Sequence, residues 1–333
     1  MASAEADKKF LAQALALAKQ AGGWASPNPL VGAVIVKDGK IVGQGYYKKF
    51  GGPHAEIMAL RQAKAAATGA TMYVSLEPHS FFGKTPPCTD AIIRAGIKRV
   101  VCCTLDPNPK VAGAGVKQLR AAGVKVFVGL LSKEARELNE TFMHFQTHRR
   151  PFVAVKFAAS LDGKIATRTN DSKWISCEAA RKFARSLRGY YQAVLVGAST
   201  VIHDNPHLGV RVRGARDPLR VILDARLRVP PDAQVFRDRN ALVAVGESAP
   251  AKKIAEFSER GIEVLRFSGQ TVPLPKLLAA LAGRQVVSLL VEGGGTVIGR
   301  FADLGLIDKV YVIHAPIIVG GDDAVSAVRG RGV

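Results

Sequence analysis

The sequence lacks the features that mark membrane-spanning and disulfide-stabilised proteins. No apolar run in its 333 residues approaches the roughly 18 residues that a transmembrane helix needs. Only four cysteines occur, and two of them, Cys102 and Cys103, are adjacent. Such a set makes no disulfide framework and favours a reducing compartment, so we expect a cytoplasmic protein.

The charge is large but not concentrated. The formal net charge is +20, yet no run of five or six like charges occurs, so the basic residues do not form a tail. Dispersed positive charge suits a phosphorylated substrate and a phosphate-bearing cofactor as well as a nucleic acid. Because aromatic residues make up only 7% of the chain, base-stacking RNA surfaces are disfavoured, and an RNA-binding or RNA-editing protein is the remote alternative.

The order of predicted elements indicates two α/β domains, which the length also favours. Apolar alternation on both sides of Asp38-Gly39 predicts a β-hairpin. Helices and strands then alternate up to a helix that we expect Ser132 to cap, a pattern typical of three layers around a central sheet. The pattern is interrupted at 148–151 and begins again, so we predict domains at 1–148 and 149–333.

The stretch from His54 to Cys88 contains the residues of a catalytic metal site. His54 opens a predicted helix and Glu56 follows two residues later; downstream a strand ends in LEPH, and PPC comes next. Zinc deaminases combine His-x-Glu with later cysteine ligands, and their glutamate transfers protons. A catalytic zinc ion takes three protein ligands, and His54, His79 and Cys88 can supply three.

The first half resembles the bifunctional deaminase-reductase family of riboflavin biosynthesis, a resemblance that extends over essentially the whole chain. PNPLVGAVIVKDGKIVGQGY, HAEIMAL, YVSLEP, GKTPPC and DPNPKVAGAGV match its first domain, and the nine-residue spacing of positions 79 and 88 is of the riboflavin type. The resemblance implies a cytidine-deaminase-like three-layer α/β/α fold, bound Zn²⁺, and a pocket for the pyrimidine and ribose phosphate. It assigns Glu56 and Lys84 to catalysis and assigns to substrate binding Asn28, Asp106 and Asn108.

The chain departs from the family pattern beside the metal. The family has Glu-Pro-Cys-Ser-His where this chain has Glu77-Pro78-His79-Ser80-Phe81. Imidazole is a competent zinc ligand, but it makes the site one charge unit more positive than a thiolate does. Two interpretations stay open: a working His2Cys zinc site, or a decayed deaminase domain that serves as a scaffold for an active reductase.

The second half contains a glycine turn and the motifs of a reductase. VEGGGTVIGRF follows a predicted strand and opens a helix, where free backbone amides can approach a pyrophosphate; taken alone, the glycines equally fit a tight turn. FAASLDGKIAT, DSKWIS, LVGASTVIHDNPHL, RVILDA and VEGGGTVIG match in order the family's second domain. That resemblance implies a dihydrofolate-reductase-like α/β fold and NADPH. Relatives continue through further strand material, so we expect the C-terminal edge to be truncated or completed differently.

The resemblance also assigns residues in this half. Lys156 is the expected catalytic residue, close to the reacting ribose. The expected NADPH contacts are Ala158, Trp174, Thr200, Asp204, Gly294, Gly295, Thr296 and Arg300. The expected substrate contacts are Ser172, Arg188, Leu208, Arg211 and Glu292. Paired guanidinium groups can clamp a phosphate bidentately, which a lysine cannot.

The expected function is therefore two consecutive reactions. The first is hydrolytic deamination of 2,5-diamino-6-ribosylamino-4(3H)-pyrimidinone 5′-phosphate, and the second is NADPH-dependent reduction of its ribosyl group to ribityl. We expect a small phosphoribosyl pyrimidine as the partner, neither nucleic acid nor membrane, and association of identical chains into a homo-oligomer.

Overall fold

The structure, a computed structural model, describes residues 4–83, 85–108 and 111–332. The chain divides into two compact units, 1–149 and 150–333. Among the described residues, no helix is long and apolar enough to cross a membrane.

The first unit is built on a five-stranded sheet with the order β2-β1-β3-β4-β5. Its strands are β1 (Gly32–Lys37), β2 (Lys40–Tyr46), β3 (Thr71–Val74), β4 (Arg99–Cys102) and β5 (Lys125–Val128). Its helices are α1 (Ala4–Lys19), α2 (Ala55–Ala63), α3 (Cys88–Arg94), α4 (Ala114–Ala121), α5 (Ser132–Leu138) and α6 (Glu140–His148). Strands β1 and β2 form the predicted hairpin, and β3, β4 and β5 run parallel.

Alternating residues of β1 enter two different hydrophobic cores, which produces three layers. Ile35 packs in the core that contains Ala59 of α2, whereas Val34 packs with Leu11 of α1 on the other face. Side chains of a strand alternate between faces, so a strand buried on both sides is apolar throughout. Helix α2 lies directly on β2, since a Cβ at Gly43 would be 2.3 Å from the Ala59 carbonyl oxygen. The predicted three-layer fold is confirmed.

The end of the first unit differs from the prediction in two respects. Leu131 (φ 55°) precedes α5 and Ser132 is its first residue, without a side-chain cap, so the predicted cap is wrong. The predicted single helix is also interrupted at Asn139. The buried Asn139 amide accepts from the Leu30 N–H at 2.7 Å and donates to the Leu30 carbonyl at 3.0 Å. This pair holds the loop that contains Asn28.

The second unit contains a seven-stranded parallel sheet with the order β11-β10-β9-β8-β12-β6-β13. Its strands are β6 (Phe152–Ala159), β7 (Lys164–Ala166), β8 (Ala193–Gly197), β9 (Leu219–Leu223), β10 (Ala241–Val245), β11 (Glu263–Arg266), β12 (Ser288–Val291), β13 (Lys309–His314) and β14 (Val325–Ser326). Its helices are α7 (Glu178–Leu187), α8 (Ala198–Asp204), α9 (Ala251–Glu259), α10 (Leu274–Gly283) and α11 (Gly295–Asp303). The short strands β7 and β14 pair separately.

The strand order places a crevice at the centre of this sheet. Strand β12 lies between β8 and β6, although it is much later in the chain. In open parallel sheets, ligands bind at the carboxyl ends of the strands where the order reverses. Lys156 lies on β6, Gly197 ends β8 and Glu292 follows β12. The topology therefore brings the candidate reductase residues to one edge.

Candidate active sites

Three separate elements of the first unit place metal-binding side chains together. His54 precedes the first residue of α2, His79 lies in the loop after β3, and Cys88 begins α3. Their ligand atoms all lie within 4.8 Å of one another. Cys88 Sγ is 3.4 Å from His54 Nδ1, and the two imidazole rings are 4.4 Å apart. The three predicted ligands thus form one cluster.

The donor set and its surroundings fit a zinc ion. Bonds of about 2.0–2.3 Å in a tetrahedron place zinc ligands about 3.5 Å apart, close to the His54–Cys88 separation. Both ring nitrogens of His79 are buried and have no hydrogen-bond partner among the described residues. Buried polar atoms are normally paired, so the two free nitrogens of His79 fit a metal ligand.

Burial controls the protonation of these ligands. Desolvation, followed by the nearby His79, lowers the pKa of His54 to about 4, so the ring is in the neutral form that binds metals. Desolvation and the adjacent Glu56 raise the pKa of the Cys88 thiol. Zinc binding to the metal-free chain therefore has to release the thiol proton.

Glu56 has the environment of a proton carrier. It lies in the first turn of α2, is only 3% exposed, and its Oε2 has no partner in the described part of the chain. Burial raises the pKa of Glu56 above its ordinary value, although contact with Cys88 opposes the shift. A carboxyl group of raised pKa can both accept and donate a proton near neutral pH.

Two of the residues predicted to bind the pyrimidine have defined partners in the first unit. Asn28 donates to the Tyr47 hydroxyl at 2.9 Å, and the edge of the Tyr47 ring faces His54 at 5.2 Å. Asp106 is buried and accepts from the Asn108 N–H at 2.8 Å. Desolvation raises the pKa of Asp106 to about 6. Lys84, the other predicted catalytic residue, lies outside the described residues.

Glu77 holds the loop of the pyrimidine pocket, a role that the sequence motif did not suggest. Its buried carboxylate accepts from the backbone N–H groups of Asp106, Gly113 and Val116 at 3.2, 2.9 and 3.1 Å. These bonds tie the loop after β4 to the segment that ends in His79. The glutamate belongs to the quoted LEP motif, but its partners are 29 or more positions away.

An ion cluster forms the centre of the second unit. The Glu292 carboxylate accepts from Arg188 Nε at 2.6 Å and Nη2 at 3.1 Å, and from Lys156 Nζ at 3.4 Å. Burial alone would raise the pKa of Glu292, but Arg188 and Lys156 outweigh it and hold the pKa below its ordinary value. Arg188 Nη1 donates to the Gly209 carbonyl at 3.1 Å, so each of its three guanidinium nitrogens makes a hydrogen bond.

Two cavities meet at this ion cluster. Both are lined by Lys156, Thr200, Asp204 and Glu292. The larger, of about 650 Å³, also contains the predicted residues Ala158, Ser172, Gly294, Gly295 and Thr296. The smaller, of about 350 Å³, contains the predicted residues Trp174, Arg188, Leu208 and Arg211. The structure thus brings nearly all predicted reductase residues to two adjoining spaces.

The glycine turn of the larger cavity fits the diphosphate of a dinucleotide. Gly294 precedes α11, and a Cβ there would meet no heavy atom within 4 Å, so its backbone faces open space. Gly295 is packed closely, since its Cβ would lie 2.2 Å from the Ser326 carbonyl oxygen. Backbone N–H groups at a helix N-terminus attract phosphate. The residues present therefore fit NADPH.

Arg300 is not among the residues that line the larger cavity. Its Nη2 donates to the Val272 carbonyl at 2.6 Å. Five residues separate it from Gly295, which rotates it about 140° around the helix axis. The cofactor contact of Arg300 stays a prediction.

Two further arginines of α7 line the smaller cavity and were not predicted. Arg181 lies 4.3 Å from the centre of the 69% exposed Trp174 ring and donates to the Ser176 carbonyl. Arg185 lines the same cavity, and its guanidinium has no partner in the described residues. Arg181, Arg185 and Arg188 are spaced by four and three residues, which places them on one helix face. This spacing could have been used to predict the basic helix face from the sequence.

Comparison with known proteins identifies both units. The cytidine and deoxycytidylate deaminase zinc-binding region matches residues 4–104, and the RibD C-terminal domain matches residues 151–333. Riboflavin biosynthesis protein RibD of Aquifex aeolicus is 50% identical over 95% of this chain and 88% of its own length.

Solved structures agree with this match. RibD of Acinetobacter baumannii has a TM-score of 0.89 and 38% identity, covering 97% of this chain and 90% of that one. A Thermotoga maritima diaminohydroxyphosphoribosylaminopyrimidine deaminase/5-amino-6-(5-phosphoribosylamino)uracil reductase has a TM-score of 0.85 and 40% identity, with the same coverage. The predicted resemblance is confirmed: the chain belongs to the RibD family and carries its deaminase and reductase domains, which makes it a bifunctional enzyme of riboflavin biosynthesis.

Proposed function

We propose that the enzyme deaminates 2,5-diamino-6-ribosylamino-4(3H)-pyrimidinone 5′-phosphate and then reduces the ribosyl group of the product to ribityl with NADPH. The Thermotoga maritima relative is named for this pair of activities. The observation that carries the proposal is that one unit contains the His54–His79–Cys88 cluster beside Glu56 and the other a two-cavity reductase site.

The deamination step uses Glu56 as the proton carrier. Zinc held by His54, His79 and Cys88 would supply the Lewis acidity that makes water nucleophilic near neutral pH. Glu56 accepts the proton of the attacking water and delivers it to the amino group, which leaves as ammonia. Its burial and raised pKa support this assignment. We assign the ring and ribose contacts to Asn28, Lys84, Asp106 and Asn108.

The reduction step occurs where the two cavities meet. NADPH supplies the hydride when it is bound; we assign the larger cavity to it and the smaller one to the ribosyl pyrimidine. With this assignment Trp174 lies on the substrate side and Ser172 on the cofactor side, the reverse of the expected contacts. Reduction adds the hydride to C1′ and a proton to the ring oxygen that leaves C1′. We assign this proton to Lys156, whose Nζ faces both cavities and is held 3.4 Å from Glu292.

The substrate phosphate is assigned to two arginines of the smaller cavity that have no partner among the described residues. Arg188 already binds Glu292 and the Gly209 carbonyl, so it orients the carboxylate. Arg185 and Arg211 line the same cavity without a hydrogen bond or ion pair to described residues. Their planar groups can bind phosphate oxygens in pairs.

Measurement of zinc content and ammonia release by the full chain tests the deaminase assignment. We expect one zinc per chain and turnover. A chain that stays zinc-free in added zinc, releases no ammonia and still oxidises NADPH with deaminated substrate would instead be a reductase with a scaffold domain. A His79→Cys variant assayed for ammonia release beside the wild type tests whether imidazole replaces the thiolate. Equal activity supports a working His2Cys site, whereas a large gain of activity in the variant supports a decayed deaminase site.

The cellular setting is a further part of this proposal. All four cysteines are free, and Cys88 has to remain a thiol to bind metal, which fits a reducing cytoplasm. We propose that neither nucleic acid nor membrane is a partner; retention of RNA at physiological salt would contradict this. Homo-oligomerisation stays a prediction that sedimentation of the full chain checks.

A further inference from the structure

We propose that Thr85 is a positioning residue that selects the metal-binding tautomer of His54. This inference rests on the zinc site proposed above. Thr85 Oγ1 lies 3.2 Å from His54 Nε2, while the other ring nitrogen, Nδ1, lies 3.4 Å from Cys88 Sγ. The two nitrogens of one imidazole therefore face two different partners, and only Nδ1 faces the cluster of ligands.

The chemistry of imidazole gives these two contacts different roles. A neutral imidazole carries one N–H, and a ring that binds a metal through Nδ1 must carry its hydrogen on Nε2. The hydroxyl oxygen of Thr85 can accept that hydrogen. Without an acceptor, the competing tautomer places the hydrogen on Nδ1, where it blocks the lone pair that a metal needs. Partners of this kind orient histidine ligands in metal sites.

The surroundings of His54 single out Thr85 for this role. The ring also contacts Tyr47 edge-on at 5.2 Å and His79 at 4.4 Å, which are ring packing contacts. The Tyr47 hydroxyl is occupied by Asn28 and by the Gly51 N–H. Thr85 therefore provides the hydrogen-bonding partner of Nε2.

The backbone around Thr85 favours a fixed hydroxyl. Thr85 is followed by Pro86 and Pro87, and then by the ligand Cys88. A residue before proline is restricted to extended conformations, and proline fixes its own φ. The segment that supplies one ligand thus also supplies the partner of another. The backbone of Thr85 also interacts with His79, but its hydroxyl contacts His54, so loss of the hydroxyl acts on His54.

The test compares zinc affinity in three full-length variants. Thr85→Val keeps the shape of the side chain but removes the hydroxyl, Thr85→Ser restores the hydroxyl, and Thr68→Val removes a hydroxyl distant from the site. Loss of such a partner typically weakens metal binding about 10–100-fold. We expect a loss of that size for Thr85→Val in competition with a chromophoric chelator, and nearly wild-type affinity for the other two variants.

Two additional readouts separate positioning from misfolding. Reductase activity of the same chains should be unchanged, and the visible spectrum of the cobalt-substituted protein should shift in Thr85→Val but not in Thr85→Ser. Wild-type affinity in Thr85→Val, or an equal loss in Thr85→Ser, overturns the role of Thr85 while the zinc site stands. A wild-type chain that binds no zinc overturns the proposed site itself.

Discussion

Replacement of Arg188 by methionine should destabilise the reductase unit by leaving Glu292 as a partly unpaired buried charge. The side chains of Arg188 and Glu292 are 15% and 7% exposed, and two short hydrogen bonds join them. Methionine keeps most of the apolar stem but removes the guanidinium. Lys156 remains 3.4 Å away as the single cation.

The magnitude follows from the burial of the pair. Removal of one partner of a buried ion pair costs about 3–5 kcal/mol; because Lys156 remains, we expect the lower end, about 3 kcal/mol. For a unit of this size, each kcal/mol lowers the Tm by about 2–4 °C, which gives about 6–12 °C. The Arg188→Met/Glu292→Gln double variant removes the stranded charge and should recover much of this loss.

Calorimetry of the full chain can measure the effect, with the reductase transition identified by its upward shift in NADPH. Arg185→Met is the matched control: it removes a guanidinium without a partner from the same helix, and should change stability by no more than about 0.5 kcal/mol. Equal Tm values for the two single variants, or a double variant as unstable as Arg188→Met, would refute the reasoning.

The same variant has a defined pH dependence. In the wild type the pKa of Glu292 lies below its ordinary 4.5, so the stabilisation is present above that value and is lost as pH falls through the lowered pKa. Without Arg188, the buried carboxyl binds a proton more readily as the solution is acidified. The Tm deficit of the variant should therefore shrink as pH falls from about 7 to about 5.

Four further predictions concern separate features. Arg185→Met should raise the KM for the phosphorylated substrate about tenfold or more and leave that of the dephosphorylated analogue unchanged; equal losses would contradict the phosphate assignment. Gly299→Ala places a Cβ 1.1 Å from a carbonyl oxygen of the C-terminal segment and should lower the stability by about 1–3 kcal/mol, as measured by calorimetry. Gly283→Ala serves as the control, because a Cβ there meets nothing within 4 Å. Asp7→Asn breaks the pair with Arg99, whose hydrogen bond holds the pKa of Asp7 below 3.8. The resulting decrease in the free energy of unfolding, measured with denaturant, should be complete above about pH 4 and should vanish as pH falls through the lowered pKa. A zinc chelator should lower the Tm of the deaminase unit and leave that of the reductase unit unchanged.

Features that depend on residues close in sequence could be predicted from the sequence. The Asp38-Gly39 turn predicts its hairpin because both residues adopt positive φ, 49° and 74°. His54, His79 and Cys88 were predictable as one cluster because they follow the zinc-deaminase layout of His-x-Glu and later ligands. The deaminase site was therefore largely visible in the sequence.

Long-range contacts account for most of what was missed. The helix break at Asn139 follows from its bonds to Leu30, 109 positions earlier. Helix α8 follows β8 directly, although its residues Val201 and Ile202 favour strands. In the structure Val201 is buried in the core beside β8, and this packing overrides the local preference. The sequence around Asn139 contains no local pattern that indicates a partner 109 positions away.

The two active sites satisfy their buried polar groups in opposite ways. Glu292 is paired with Arg188 and Lys156 within the chain, so the buried carboxylate of the reductase site is balanced before any ligand binds. In the deaminase unit Glu56 Oε2 and both nitrogens of His79 have no partner in the described residues. An unpaired buried polar group costs about 1–3 kcal/mol, and a bound metal with its water can satisfy these atoms. We therefore expect bound zinc to stabilise the first unit, whereas Glu292 of the second unit already has its ion-pair partners without a cofactor.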